Sequence, residues 1–143
     1  MALNPPVLNS PSNAATVIGN ALVFTFTIPT DSNNSKLVFR VELDTINPPN
    51  YSDTNYIVYE SRFSDGGKNG TWQYQDSGIW YTMPSGGLGS SYYGKTAKIT
   101  VLKQNVVKYP SINTVWYWDI GASDNMGLNP VFNEVIFAQA IFA

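Results

Sequence analysis

Six aromatic residues between positions 65 and 94 are the part of this sequence best suited to recognition chemistry: Trp72, Tyr74, Trp80, Tyr81, Tyr92 and Tyr93. They stand beside glycine turns, in the runs TWQYQ, IWYTM and SSYYG, rather than in the long alternating segments elsewhere. A ring presented beside such a turn can stack on the apolar face of a sugar, while neighbouring amides and carboxylates bond its hydroxyls. Gln73, Gln75 and Asp76 supply that polar company. The competing expectation is that the same rings form a small satellite core beneath a long insertion.

The other constellations carry less. The chain has no histidine, which removes the commonest general base and metal ligand. It has no cysteine, so disulfides and thiol chemistry are excluded. No histidine stands ready to activate a serine nucleophile. Asp119 and Asp124 flank one turn, but a catalytic carboxylate pair needs two groups roughly 5–10 Å apart across a cleft. Strand parity places Asp119 outward and Asp124 in the turn, so both are expected in solvent. Asp31, Asn33 and Asn34 are hard oxygen donors, yet one carboxylate is little charge for a tight calcium site. An Asx-type turn is expected there instead. The glycine-rich SGGLGSS at 85–91 lacks the lysine and following helix of a phosphate-binding loop. The sequons at Asn33, Asn50 and Asn69 read as chance matches in an asparagine-rich loop composition. These residues predict no enzyme, no cofactor and no metal.

Composition narrows the partners. Net charge is −2 and only 13% of residues are charged, with no basic patch, so nucleic acid is not expected. The start, MALNPPVLNSPSN, lacks the positive and apolar regions of a signal peptide. No apolar run approaches the ~20 residues of a membrane span. A chain of 143 residues suits one domain, which buries roughly two thirds of its unfolded surface without staples.

The elements that must position these residues are strands. The most informative stretch is TVWYWDIGASD at 114–124, which puts Trp116, Trp118, Ile120 and Ala122 on one parity. Successive side chains of a strand point to opposite faces, so this is a core strand closed by a turn. Residues 21–28 alternate Leu22, Phe24, Phe26 and Ile28 against Val23, Thr25 and Thr27. Residues 36–43 alternate Leu37, Phe39, Val41 and Leu43 against Lys36, Val38, Arg40 and Glu42. Further strands are expected at 56–63, 97–102 and 135–142, with one weaker first strand near Val7–Leu8 and again near Ala15–Val17, interrupted by Pro11. Phe24, Phe26, Phe39, Val41, Trp116, Trp118 and Ile120 are expected to share one core. Period-2 patterning without helical periodicity predicts an all-β, antiparallel β-sandwich. Residues 65–94 read as an aromatic β-hairpin insertion within a single domain spanning 1–143.

The order of these pieces resembles bacterial and phage fibronectin type III-like domains of the immunoglobulin-like class. The resemblance rests on PVLNSPSNAATV as a proline-marked first strand and on LVFTFTIPTDSNNSKLVFRVELD as two strands joined by an Asp/Asn loop. It rests also on TVWYWDIGASDNMG as an aromatic-x-aromatic strand entering its turn. It covers most of the chain outside 65–94. Two departures stand out: the Asp/Asn loop keeps only Asp31 of the acidic set that binds calcium in some relatives, and the insertion exceeds a minimal domain. The missing catalytic set and cofactor motif, on a chain that resembles such domains, lead to the expectation of a non-catalytic structural or interaction module, a phage virion or tail-associated protein or a bacterial surface protein. Its expected location is the virion or extracellular surface. The alternative is a carbohydrate-binding module that holds a cell-surface glycan on the aromatics of 65–94.

The C-terminal strand, VIFAQAIF, has one polar residue, Gln139, in two faces. Val135, Phe137 and Ile141 form a face too apolar to leave wet. Final strands of such sandwiches are commonly edge strands, which invite pairing. This face is expected to meet a protein partner or a second copy of the chain, or to lie under residues 65–94.

Overall fold

The computed structural model describes residues 3–12, 14–17, 19–63, 65–124 and 134–142, with Val17 and 134–142 as backbone only. Ten strands run through it: β1 (Val7–Ser10), β2 (Ala15–Val17), β3 (Ala21–Thr27), β4 (Val38–Asp44), β5 (Ile57–Glu60), β6 (Thr71–Asp76), β7 (Ile79–Thr82), β8 (Thr96–Leu102), β9 (Thr114–Ser123) and β10 (Glu134–Phe142). A short 3-10 turn at Ser90–Tyr92 leads into β8. The strands form two five-stranded sheets, ordered β1-β3-β8-β6-β7 and β2-β10-β9-β4-β5. Pairing is antiparallel except where β2 runs parallel to β10.

The expected alternation explains the packing. In β3, Leu22, Phe24 and Phe26 are buried while Ala21 and Val23 are exposed. Its partner β8 sets Ile99 opposite Phe24 and Ala97 opposite Phe26, so these side chains share one face. From the second sheet come Phe39, Val41 and Leu43 of β4, and Trp116, Trp118, Ile120 and Ala122 of β9. All seven residues expected to share a core lie in this one cluster. Rings from opposite sheets meet directly: Phe24 and Trp118 stand edge to face at 5.7 Å, and Phe26 tilts against Phe39 at 5.1 Å. Each such pair adds about 0.5–1.5 kcal/mol beyond area burial. The architecture is all-β and sandwich-like, with two facing sheets rather than a closed barrel.

Three details differ from the sequence reading. The weak first strand is two strands in different sheets: β1 pairs with β3 before Pro11, and β2 pairs with β10 after it. The segment 56–63 yields a strand only over Ile57–Glu60, after which Ser61 still donates to the Phe39 carbonyl. The last strand is not at the edge of its sheet. It pairs with β9 along its whole length, and β2 covers its other side at Ala140–Phe142. Among the described residues, no helix is long and apolar enough to cross a membrane.

Candidate functional site

The hairpin β6–β7 divides the six candidate aromatics between faces. β6 turns Trp72 and Tyr74 inward and Gln73 and Gln75 outward, as its period demands. Trp72 is 4% exposed, packs edge to face on Phe26 at 6.2 Å, and donates its indole N–H to the Asn69 carbonyl at 2.8 Å. Tyr74 lies opposite Tyr81 and stacks on it at 5.5 Å, while Tyr92 meets Tyr74 edge-on at 4.7 Å. Tyr74, Tyr92 and Tyr93 pack partly buried against the core. The Tyr93 hydroxyl donates to the Ser35 carbonyl, tying the segment before β8 to the β3–β4 loop. Burial, then the charges of Asp31 and Asp124, push the Tyr93 hydroxyl above its usual range.

Trp80 lies opposite Gln75 in the register, one place from Tyr81, and so belongs to the outward face. The Lys98 ammonium stands over its ring at 4.1 Å. Tyr81 is 43% exposed because β7 is the edge of its sheet. The six rings therefore form no single coplanar platform. Trp72, Tyr74, Tyr92 and Tyr93 extend the core, and Trp80 with Gln73 and Gln75 marks the outer sheet face.

The Asp31 loop is the expected turn. The Asp31 carboxylate accepts the Asn33 N–H at 3.1 Å, and Asn34 donates to the Asp31 carbonyl at 2.9 Å. Asn33 and Asn34 are exposed while Asp31 is buried, with Oδ2 lacking a hydrogen-bond partner. Among the described residues, no three acidic side chains cluster in a way that could hold a metal ion.

Asp119 corrects the sequence reading. It is on the outward parity, but it is 2% exposed rather than solvated. The register sets it opposite Glu42, itself 8% exposed. Glu42 is well supplied: Arg40 approaches Oε1 at 3.2 Å and the Tyr56 hydroxyl donates to Oε2. Asp119 Oδ1, by contrast, has no hydrogen-bond partner. Burial first, and then the Glu42 charge, push the Asp119 carboxyl up to about 8, with Arg40 opposing in part. Two buried carboxyls side by side cannot both ionise cheaply. Glu42 holds a cation and a hydroxyl; Asp119, raised by its burial and that neighbour, keeps its proton near neutral pH. Burial and the Glu42 carboxylate also raise the Tyr56 hydroxyl. Sequence alone shows Arg40, Glu42 and Asp119 on outward parities, but the register that joins them is tertiary.

This pair sits on an outer face that is unusually dry. Val38, Glu42, Asp44, Asp119 and Ser123 are all buried there, although antiparallel sheets commonly leave that face wet. Asp44 ties down the segment that follows it, accepting Thr45 N–H at 2.7 Å and Asn50 N–H at 3.1 Å. The expected interface residues Val135, Phe137 and Ile141 have side chains outside the described residues. Their backbone positions lie opposite Gly121, Asp119 and Val115 of β9. Residues 65–94, the other expected cover, carry β6 and β7 in the sheet opposite β10.

Surface hollows open among the described residues, and one of them reaches Tyr56. One cleft of about 420 Å³ opens between Ser61, Phe63, Asp65 and the Trp72–Met83 strand ends. Another, of about 350 Å³, runs beside β5. No protein-family model matches the chain, and no curated protein matches it significantly.

Proposed function

We propose that this chain is a non-catalytic structural or interaction module on a fibronectin type III-like or immunoglobulin-like sandwich. A phage virion or tail-associated protein, or a bacterial surface module, suits it best. The sheet order supports that plan. With β3 and β8 paired in one sheet, β10, β9 and β4 neighbours in the other, and the N-terminal strands β1 and β2 divided between them, the order is compatible with an immunoglobulin-like plan. The observation that carries the functional reading is the disposition of the aromatics. Four of the six rings best suited to a ligand serve as packing, so the segment 65–94 is mainly an extension of one sheet. The buried acid pair Glu42–Asp119 is compatible with the same reading, since both groups are shut inside the sheet face and away from any ligand.

A second reading keeps one specific observation: Trp80, Gln73 and Gln75 share an outer sheet face, an arrangement able to receive a sugar. Retention on insoluble peptidoglycan, cellulose and chitin separates the two. The module reading expects the same weak retention for the native chain and for Trp80→Ala. Strong retention that Trp80→Ala abolishes would replace it with the carbohydrate reading. Release of soluble sugar from any of the three polymers would refute the non-catalytic assignment.

A further inference from the structure

We infer that the groove beside β5 receives an extended acidic segment of a protein partner, which adds to the free edge of β5 as a further strand. The inference rests on the interaction-module reading and gives it a docking surface. β5 ends its sheet; among the described residues its backbone pairs only with β4. Its other edge therefore presents unused N–H and C=O groups, which is what strand addition requires.

A hollow of about 350 Å³ runs along that strand, lined by Ile57, Val58 and Tyr59 together with Lys68, Val107 and Lys108. It continues into a second hollow of about 290 Å³ that shares Ile57, Val107 and Lys108 and reaches Tyr109 and Trp116. Val107 is 93% exposed, an apolar side chain held out at the groove. The segment carrying it is pinned in place. The Tyr59 hydroxyl donates to the Lys108 carbonyl at 2.7 Å, and the Lys108 ammonium donates to the Tyr56 carbonyl at 3.3 Å. The buried Tyr109 hydroxyl has no hydrogen-bond partner, leaving one polar atom in the lining to be satisfied.

Charge selects the occupant. Two lysines line the groove and no aspartate or glutamate does, in a chain with more acidic than basic residues. Lysine on a sheet edge ordinarily discourages pairing with neutral strands. An acidic strand turns that repulsion into attraction. A strand alternating acidic and apolar residues separates the two sets, so its carboxylates can meet Lys68 and Lys108 while its apolar side chains meet the exposed Val107.

The test is fluorescence anisotropy with three labelled octapeptides: one alternating glutamate and valine, one alternating lysine and valine, and the glutamate peptide with alternate amides N-methylated. The glutamate peptide is expected to bind, and the lysine peptide not to. N-methylation should weaken binding about tenfold by removing backbone donors. The double variant Lys68→Glu/Lys108→Glu should weaken it at least about tenfold and blunt its salt dependence. Both lysines are on the surface, and circular dichroism of that variant should match the native chain. Failure of the glutamate peptide to bind, equal binding of both charges, or indifference to the double variant overturns the inference. Undiminished binding of the N-methylated peptide also overturns it, since charge alone would then suffice. A dimer in sedimentation that Val107→Asp disperses assigns the groove to a second copy and likewise overturns it. None of these readouts involves Trp80 or a polysaccharide, so failure here is distinct from failure of the module reading.

Discussion

Replacing Asp119 by asparagine should make the protein more stable at neutral and alkaline pH, although it removes a buried charged residue type from the centre of a sheet. The Asp119 carboxyl is held up to about 8 by burial and by Glu42, against an ordinary value of 3.8. A folded-state value above the unfolded one means that the folded chain holds the extra proton between those two pH values. Its stabilising contribution is complete below about pH 4, declines through the interval, and is gone above about pH 8. The slope is about 1.4 kcal/mol per pH unit for a fully shifted group, so the interval sets a ceiling of about 5–6 kcal/mol. Coupling to Glu42 and relaxation around the pair reduce this, and about 2–4 kcal/mol is the expected difference at pH 8. Asparagine has the same shape, does not titrate, and can donate its amide to Glu42 as the protonated acid does. The other charged or titratable neighbours are Arg40 on β4, Tyr56 before β5 and Tyr117 on β9; Glu134 of β10 lies opposite Ala122, three places from the position facing Asp119. Urea unfolding of both proteins at pH 4.5, 6, 7.5 and 9 isolates the contribution of Asp119 together with its coupling to Glu42, because every other group is common to the pair. The two stability curves should nearly coincide at pH 4.5 and separate steadily as pH rises, the variant on top. Parallel curves, or a variant that loses stability relative to the native chain above pH 7, would refute the protonated-pair assignment.

Trp118→Ala should cost about 3–5 kcal/mol in chemical denaturation, since Trp118 is fully buried against Phe24, whereas Val115→Ala on the exposed parity of the same strand should cost well under 1 kcal/mol. Ser61→Ala should cost about 1–3 kcal/mol, because the Ser61 hydroxyl accepts the buried Phe39 N–H at 2.8 Å and nothing replaces it; calorimetric midpoints will show it. Gly70→Ala should cost more than Gly78→Ala in the same assay. Both backbones are left-handed, at φ +79° and +82°, but a Cβ at Gly70 meets Ile99 at 2.7 Å while one at Gly78 meets nothing within 4 Å.

Strand identity and core membership were legible in the sequence because they follow from a local property. The alternation of side chains along a strand makes Trp116, Trp118 and Ile120 one face wherever the strand is placed. The same property put Asp119 on the other face, and that was correct. Its burial was not legible, because it depends on which residue stands across the ladder and what lies above the sheet. Likewise the runs TWQYQ and IWYTM each announce a short strand, but only their register shows that Tyr74 faces Tyr81 while Trp80 faces the other way. A slip of one residue would exchange those faces, and no local signal distinguishes the two arrangements.

The sequence by itself determined the all-β class, the inward parities and the turn at Asp31, since each rests on short-range sterics and hydrogen bonding. Only the tertiary structure decided that the first strand divides between two sheets, that β10 is flanked on both sides, and that β5 is left as a free edge beside two lysines. It also decided that Glu42 and Asp119, 77 places apart in the chain, share one buried site. These are consequences of long-range strand pairing, set by the summed fit of both inner faces rather than by any segment alone.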